Sequence, residues 1–521
     1  MMRFTGKEVF TKLDVLAVVA VILAGLVHLS YPLDGDQALF INGALKVSRG
    51  AILYRDFWDL KQPGIFGFYL LGGSLFGFTE VGVHTLELLY MTTLAIILLV
   101  TLKNYFASRV VASLVPLLTV GVYYGVTGTW HLTQVEGLVG FPMFLSLWFA
   151  SDSAPRSASG QRRLFLSGFM GGIVLLFKFL FLPILLSFWL MTVIEAVVRR
   201  RERLLPALVR IGLPVIAGIV FPLAIVFGYF AWFGTLDLLN YTFFAYPRRA
   251  IAELPGRRIG SLAKSLLWFF GSFAPLTALA FVWACANLRS RKDLLKIDLV
   301  FANLVLWLII GLCVIVVQRL SWWDYHYMLL FVPLGVLAVK GLDFLWAQIK
   351  EAKPSLLSVK SRVIIALSLA LLFSPFLASL ALKTLYLTYY GLAYGRERRI
   401  QYQSEISSTY KSAYPEVEFL SQPDSLPGSI FVGGNPVYYY LSGRDQAVAS
   451  NGWMLELFLN EQWLGLNNEL ARSQPSYIFI ASEYADLIPA RSPQTSSFIK
   501  EHYRILRANG SGTWYILQKT P

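Results

Sequence analysis

The stretch YPLDGDQALFINGALKVSRGAILYRDFWDLKQPG, residues 31–64, is the one on which the rest of the chain depends. It follows an apolar run long enough to cross a bilayer and precedes another apolar region. Within it lie Asp34, Asp36, Asp56 and Asp59 together with Arg49, Arg55 and Lys61, a density of charge absent from the apolar runs around it. Asp36 reads as a helix N-cap, its carboxylate accepting from the free N–H groups of the next turn. Gln37 to Ser48 then carries Leu39, Ile41, Ala44, Leu45 and Val47, an imperfect amphipathic pattern suited to a membrane surface. Gly50 is a stop signal. An extended piece, Tyr54 to Trp58, leads to Lys61-Gln62-Pro63-Gly64, where Pro63 opens the next helix.

Outward from this stretch, the 521 residues are 56% apolar and 15% aromatic, with a mean hydropathy of +0.58, which excludes an ordinary soluble protein. The net charge of +14 would suit nucleic acid, but Lys and Arg collect at the ends of apolar runs, as orientation signals do. Each crossing needs about 20 apolar residues. Eleven are expected, near 13–33, 81–102, 109–127, 133–151, 163–178, 180–198, 207–232, 262–286, 296–317, 326–346 and 361–384. The first reads as an uncleaved span, since no small-residue cleavage site follows it. Segment 64–78 is apolar but short and glycine-rich, and reads as re-entrant or interfacial. A turn near Lys178 divides 163–198.

Alternate loops carry the positive charge: Arg3, Lys7 and Lys12; Lys103 and Arg109; Arg156, Arg162 and Arg163; Arg199 to Arg203; Arg289, Arg291, Lys292 and Lys296; Lys350, Lys353, Lys360 and Arg362. The positive-inside rule puts these in the cytoplasm and the 31–64 loop outside. An odd number of spans puts the tail outside as well. From residue 385 the composition turns polar. Ser429–Gly434 and Tyr477–Ser482 read as strands, Trp453–Ala471 as a helix, and Tyr503–Arg507 with Thr513–Gln518 as a hairpin around Asn509-Gly510-Ser511-Gly512. The expected division is a membrane catalytic domain, 1–384, and an extracytoplasmic α/β domain, 385–521. The two cysteines, Cys285 and Cys313, lie in apolar runs and read as buried small hydrophobes.

An acid after the first span, an amphipathic helix and then YRDFWDLKQPG resembles the GT-C glycosyltransferases, and among them the bacterial relatives of glycosyltransferase family 39. These include protein O-mannosyltransferases and lipid A aminoarabinose transferases. The resemblance is specific over about the first 90 residues and one of layout beyond. It implies a GT-C fold and an inverting transfer of sugar from a polyprenyl-phosphate carrier to a hydroxyl of a lipid, glycan or protein, at the outer face of a bacterial inner membrane. Asp36 matches the family's catalytic acid and Lys61 its phosphate-binding lysine. Gln37 stands where Glu is common, and Leu39 where the aminoarabinose transferases carry Arg.

Such a transfer needs a base for the acceptor proton and cations for the departing phosphate. A carboxylate in a partly dry cleft gains proton affinity from desolvation. Asp36 is the first candidate base and Asp34 the second. Lys61 and Arg55 are candidate phosphate ligands, against a reading as snorkelling interfacial cations. Asp56 and Asp59 are expected to pair with these cations. Lys178, His326 and Tyr327 join the donor-site candidates, because related proteins often carry a Lys and a His-Tyr pair in comparable places. His131, Glu136, Arg248 and Arg249 are further pocket candidates. Glu87 is expected to pair within the bundle. No His/Cys cluster has metal-ligand spacing, so no metal site is expected, although Asp34 with Asp36 offers oxygens to Mg²⁺ or Ca²⁺. A lipid-linked sugar flippase is the competing class: it shares the intramembrane charges but needs no reactive carboxylate in an outer loop. No nucleic-acid partner is expected.

Overall fold

The computed structural model describes residues 10–153, 155–289, 298–351, 359–391 and 396–518. Part of the charge asymmetry (Arg3, Lys7, Arg291, Lys292, Lys296 and Lys353) falls outside them. The chain is a helical polytopic bundle that continues into a small mixed sheet. Among the described residues, five helices are long and apolar enough to cross a membrane: Glu80–Tyr105, Phe179–Arg199, Leu204–Trp232, Leu299–Val317 and Asp324–Lys350. A sixth forms if Ile259–Ser272 and Ala274–Ala286, bent by 79°, count as one span.

Several expected spans are shorter or broken. Helix α1, Lys12–Leu26, has 15 residues and stops before residue 33. The chain leaves it to enter a buried turn, where the Leu33 N–H donates to the Tyr410 hydroxyl at 3.1 Å. The stretch 109–127 breaks at residues 113–114 into Arg109–Ala112 and an apolar helix, Leu117–Val126, with Pro116 at its start, where a missing N–H is tolerated. Likewise 133–151 divides into Val135–Leu138 and Gly140–Ser151. The turn at Lys178 is present: one helix, Ala158–Phe177, ends there and another, Leu182–Ile194, follows.

Three helices build the floor of the first loop. Helix α2 is Asp36–Ser48, α3 is Pro63–Phe76 with its proline in the first turn, and α4 begins at Glu80 and runs to Leu102. At 14 residues α3 is too short for a full crossing, in keeping with the reading of 64–78. Helix α2 departs from expectation. It is buried at Gln37, Ala38, Leu39, Phe40 and Ile41, because α3 packs against it, with Phe40 on Phe66 and Tyr69, and the C-terminal residues lie on it as well. Asn42 donates to the Pro436 carbonyl at 3.0 Å and Lys46 to the Gln446 carbonyl at 2.9 Å.

The sheet comprises β1 (Ile430–Gly433), β2 (Tyr477–Ala481), β3 (Tyr503–Ala508) and β4 (Gly512–Leu517), in the order β1-β2-β4-β3. β1 and β2 are parallel, and β4 runs antiparallel to both β2 and β3. Burial on both faces explains why β1 and β2 read as continuous apolar runs. The hairpin turn is closed by Asn509, whose side-chain oxygen accepts from the Ser511 N–H at 3.0 Å. The helix expected at 453–471 begins later, at Asn460, and runs to Ser473, after a separate short turn at Leu455–Leu457. Cys313 is exposed on its apolar helix and Cys285 half-buried, so neither is the buried hydrophobe expected from its setting; on a bundle whose apolar surface faces outward, an apolar run does not imply burial.

Candidate active site

Asp36 stands at the first turn of α2 but does not cap it. The cap position belongs to Gly35, which makes no side-chain bond, while Asp34 N–H donates to Gln37 Oε1 at 2.8 Å. Gly35 takes φ +48, and a Cβ there would come 2.8 Å from Trp130 and 3.0 Å from Trp453. This backbone turns the Asp36 carboxylate away from its own helix and into a buried cluster. Oδ2 accepts from Lys61 Nζ at 2.7 Å and from the Tyr325 hydroxyl at 3.2 Å, and Oδ1 accepts from Trp453 Nε1 at 2.8 Å.

Lys61 is held from two sides. Its backbone N–H donates to Asp59 Oδ1 at 2.8 Å, and its ammonium lies 5.4 Å from the centre of the Phe40 ring. Pro63 and Gly64 bring the next helix close behind it. A Cβ on Gly64 would lie 2.7 Å from the backbone of Leu176, so only glycine lets α3 meet the end of helix Ala158–Phe177. That helix ends at Lys178, whose Nζ is 2.6 Å from Glu136 Oε1. His326 Nε2 lies 3.7 Å from the same oxygen. Glu136, Lys178 and His326 therefore form a second group, and Glu136 also acts electrostatically on Lys61.

Burial pushes the Asp36 carboxyl up, but the Lys61 ammonium and the bonds from Lys61, Trp453 and Tyr325 together outweigh it and hold the group below the usual carboxylate range. This reverses the expectation that desolvation would raise its proton affinity: the ion pair dominates. The pair is self-consistent, since Lys61 loses basicity by burial and more than regains it from Asp36 and Asp59. Asp59 and Asp34 are raised, each by burial that its partners do not fully offset.

The other candidates fall in different places. Asp34 is buried with Asn435 Nδ2 on its Oδ1 at 3.0 Å. Arg55 is exposed and pairs with its neighbour Asp56 at 2.8 Å, and no bond joins it to the Asp36 cluster among the described residues. Tyr327 packs on Phe269 with ring centres 4.9 Å apart, its hydroxyl 3.2 Å from Ser265. His131 stacks on Trp268 and lies 3.7 Å from Asp324. Arg248 is exposed; Arg249 bonds Glu253 at 2.9 Å and Glu461 Oε2 at 2.9 Å, tying the bundle to the C-terminal residues. Glu87 accepts from Tyr123 and from the Thr133 N–H, within the bundle. Asp34 and Asp36 point at different partners, and among the described residues no three His, Cys, Asp or Glu side chains gather as a metal would require.

Four contributors carry no local signal. Tyr325, Trp453, Asn435 and Asn451 reach the loop from far along the chain, Asn451 donating to the Trp58 carbonyl at 2.7 Å and to Asp59 Oδ2 at 3.4 Å. Their bonds to Asp36 span 289 and 417 residues for Tyr325 and Trp453.

No protein-family model and no curated protein matches the sequence. Solved structures do. ArnT from Cupriavidus metallidurans in the apo state superposes with a TM-score of 0.59 at 14% identity, over 96% of this chain and 97% of that one. The same protein bound to undecaprenyl phosphate gives 0.57 at 12%, over 96% and 97%. The apo oligosaccharyltransferase of Archaeoglobus fulgidus gives 0.52 at 12%, over 97% of this chain and 74% of that one. The likeness to these proteins is one of fold, over nearly the whole chain.

Proposed function

We propose that this chain is a membrane glycosyltransferase that moves a sugar from a polyprenyl-phosphate carrier to a hydroxyl acceptor. The observation that carries the reading is the buried Asp36–Lys61 pair, with Lys178 and Glu136 at the adjoining helix end. A buried base touching a cation is the minimum that phosphate-leaving glycosyl transfer needs. The fold shared with a protein crystallised with undecaprenyl phosphate supports the carrier class.

In the proposed step Asp36 takes the proton of the acceptor hydroxyl. The acceptor oxygen forms its bond to the anomeric carbon as the bond from that carbon to the phosphate oxygen breaks. The electron pair leaves on the phosphate, where Lys61 and Lys178 stabilise it. One displacement with one base inverts the anomeric centre. Sharing Lys61 with the arriving phosphate loosens its hold on Asp36, and burial, then less opposed, raises the proton affinity of the base when the donor is in place. The two lysines neutralise the leaving group, so the step is written without a metal ion. Arg55, paired with Asp56, and Arg249, paired with Glu253 and Glu461, are assigned no part in this step.

The organisation attached to this reading is a catalytic membrane domain, 1–384, with eleven crossings, and an extracytoplasmic domain, 385–521, with the site at the outer face of a bacterial inner membrane. The acceptor is a lipid, glycan or protein hydroxyl. Purified protein in detergent, given polyprenyl-phosphate sugars extracted from labelled cells and an envelope extract as acceptor, should transfer label. Lys61→Ala should weaken donor use and Lys61→Arg restore it only in part, because a planar fork replaces a point charge. A flippase would transfer nothing.

A further inference from the structure

The two oxygens of Asp36 have unequal company. Oδ2 is shared by Lys61 and Tyr325, whereas Oδ1 accepts from Trp453 Nε1 at 2.8 Å and, among the described residues, from no other side chain. A carboxylate oxygen accommodates two donors, so Oδ1 keeps a direction open for a third party. Trp453 itself is fixed. Its backbone N–H donates to Asn451 Oδ1 at 3.0 Å, and the Gly452 carbonyl accepts from the Gly434 N–H at 3.0 Å. Its ring lies over Gly35 and against Trp130, ring centres 6.5 Å apart and planes 26° from parallel. The same strand of chain is tied to the catalytic loop by the Trp58 N–H, which donates to the Ala449 carbonyl at 2.9 Å.

We infer that Trp453 is a positioning residue supplied by the C-terminal residues, which orients Asp36 so that Oδ2 serves the cationic donor side and Oδ1 receives the acceptor hydroxyl. The inference rests on the glycosyl-transfer reading for its chemistry and on the contact geometry for its structure. A carboxylate gripped through one oxygen can still swing about its terminal torsion, which is broad and only two-fold. A donor on the second oxygen removes that freedom and leaves one orientation of the base, which is what an oriented proton transfer requires. The bundle therefore holds a base that is aimed only while residues 449–453 are docked on the loop.

Two measurements test this on the full-length protein. The first needs no turnover. With 15N in the indoles of the 14 tryptophans, the signal lost in Trp453→Phe identifies Nε1 of that residue. It should move in Asp36→Asn and stay in place in Arg49→Ala, which alters an exposed pair at the far end of the same helix. An indole signal indifferent to Asp36→Asn overturns the proposal. The second is kinetic. Trp453→Phe keeps the ring and removes the donor, so kcat should fall about tenfold, the scale of one hydrogen bond to a charged group. The KM for donor should hold within about twofold, and the acid limb of kcat/KM should move to higher pH, because the carboxylate loses a stabilising donor. A purely structural role would reduce the folded fraction and leave the acid limb where it was, and an unmoved limb overturns the proposal. Absence of transfer by the wild-type protein would count against the glycosyltransferase reading, and the indole signal reports on Trp453 in that case too.

Discussion

The Lys61 ammonium holds the Asp36 carboxyl below the usual carboxylate range, and in the proposed reaction the donor phosphate competes for that lysine. A carboxyl with its folded value below the ordinary one stays ionised as pH falls through the usual carboxylate range, and its contribution to stability is lost only below that range. In the free enzyme the acid limb of kcat/KM should therefore lie below about pH 4, the ordinary aspartate value. With donor bound, Lys61 is shared and the limb seen in kcat should lie at higher pH. Coincident limbs, or a kcat limb on the acid side, would remove the coupling between donor and base. At this scale the sequence was partly legible. Asp36 and Lys61 stand 25 residues apart in one charged loop and meet as a pair. Nothing local sets Tyr325 apart from His326 and Tyr327: in the 3-10 helix Asp324–Leu330 the three meet Asp36, Glu136 and Ser265 respectively. Trp453 could not be read at all: nothing local marks a tryptophan whose partner lies 417 residues away.

Loops and helix ends, more than helix bodies, set the geometry of the cluster. Gly35 is the clearest case. Its positive φ turns the Asp36 side chain inward, and two tryptophans leave no room for a methyl group. Gly35→Ala should combine a strained backbone, costing on the order of 1 kcal/mol or more, with displacement of Trp130 or Trp453. The expected outcome is a folded protein with a small loss of thermal stability and a transfer rate at least about tenfold lower, since a misplaced base costs heavily. Full activity in this variant would show that the loop tolerates repositioning. The strands were legible because buried strands announce themselves as short apolar runs. The helix start at Asp36 was legible too, but its cap was misassigned: an aspartate at a helix start satisfies the capping pattern whether or not its carboxylate is needed elsewhere.

Taken whole, the chain is a helical bundle whose first loop and the start of α4 are gripped by residues from Gln403 onward. Glu80, at the start of α4, accepts from Gln403 at 3.0 Å and Tyr440 at 2.6 Å, and Asn435, Asn451 and Trp453 take Asp34, Asp59 and Asp36 in turn. Broken and short helices such as Lys12–Leu26 and the pieces of 109–127 are part of why counting apolar runs and counting long helices among the described residues give different numbers. The proposed orientation has a direct check. Ser412 is exposed in the C-terminal region, and Ser412→Cys, with Cys285 and Cys313 replaced, should react with an impermeant thiol reagent in intact spheroplasts. Labelling seen only after lysis would reverse the orientation and the proposed outer face. The central claim is that Asp36 is the base of a polyprenyl-phosphate glycosyl transfer, and one comparison bears on it most directly: sugar transfer and undecaprenyl-phosphate binding by purified wild type and Asp36→Asn. The account predicts a variant that binds the carrier like the wild type and transfers about 10²- to 10⁴-fold more slowly. Transfer by Asp36→Asn at close to the wild-type rate would contradict it.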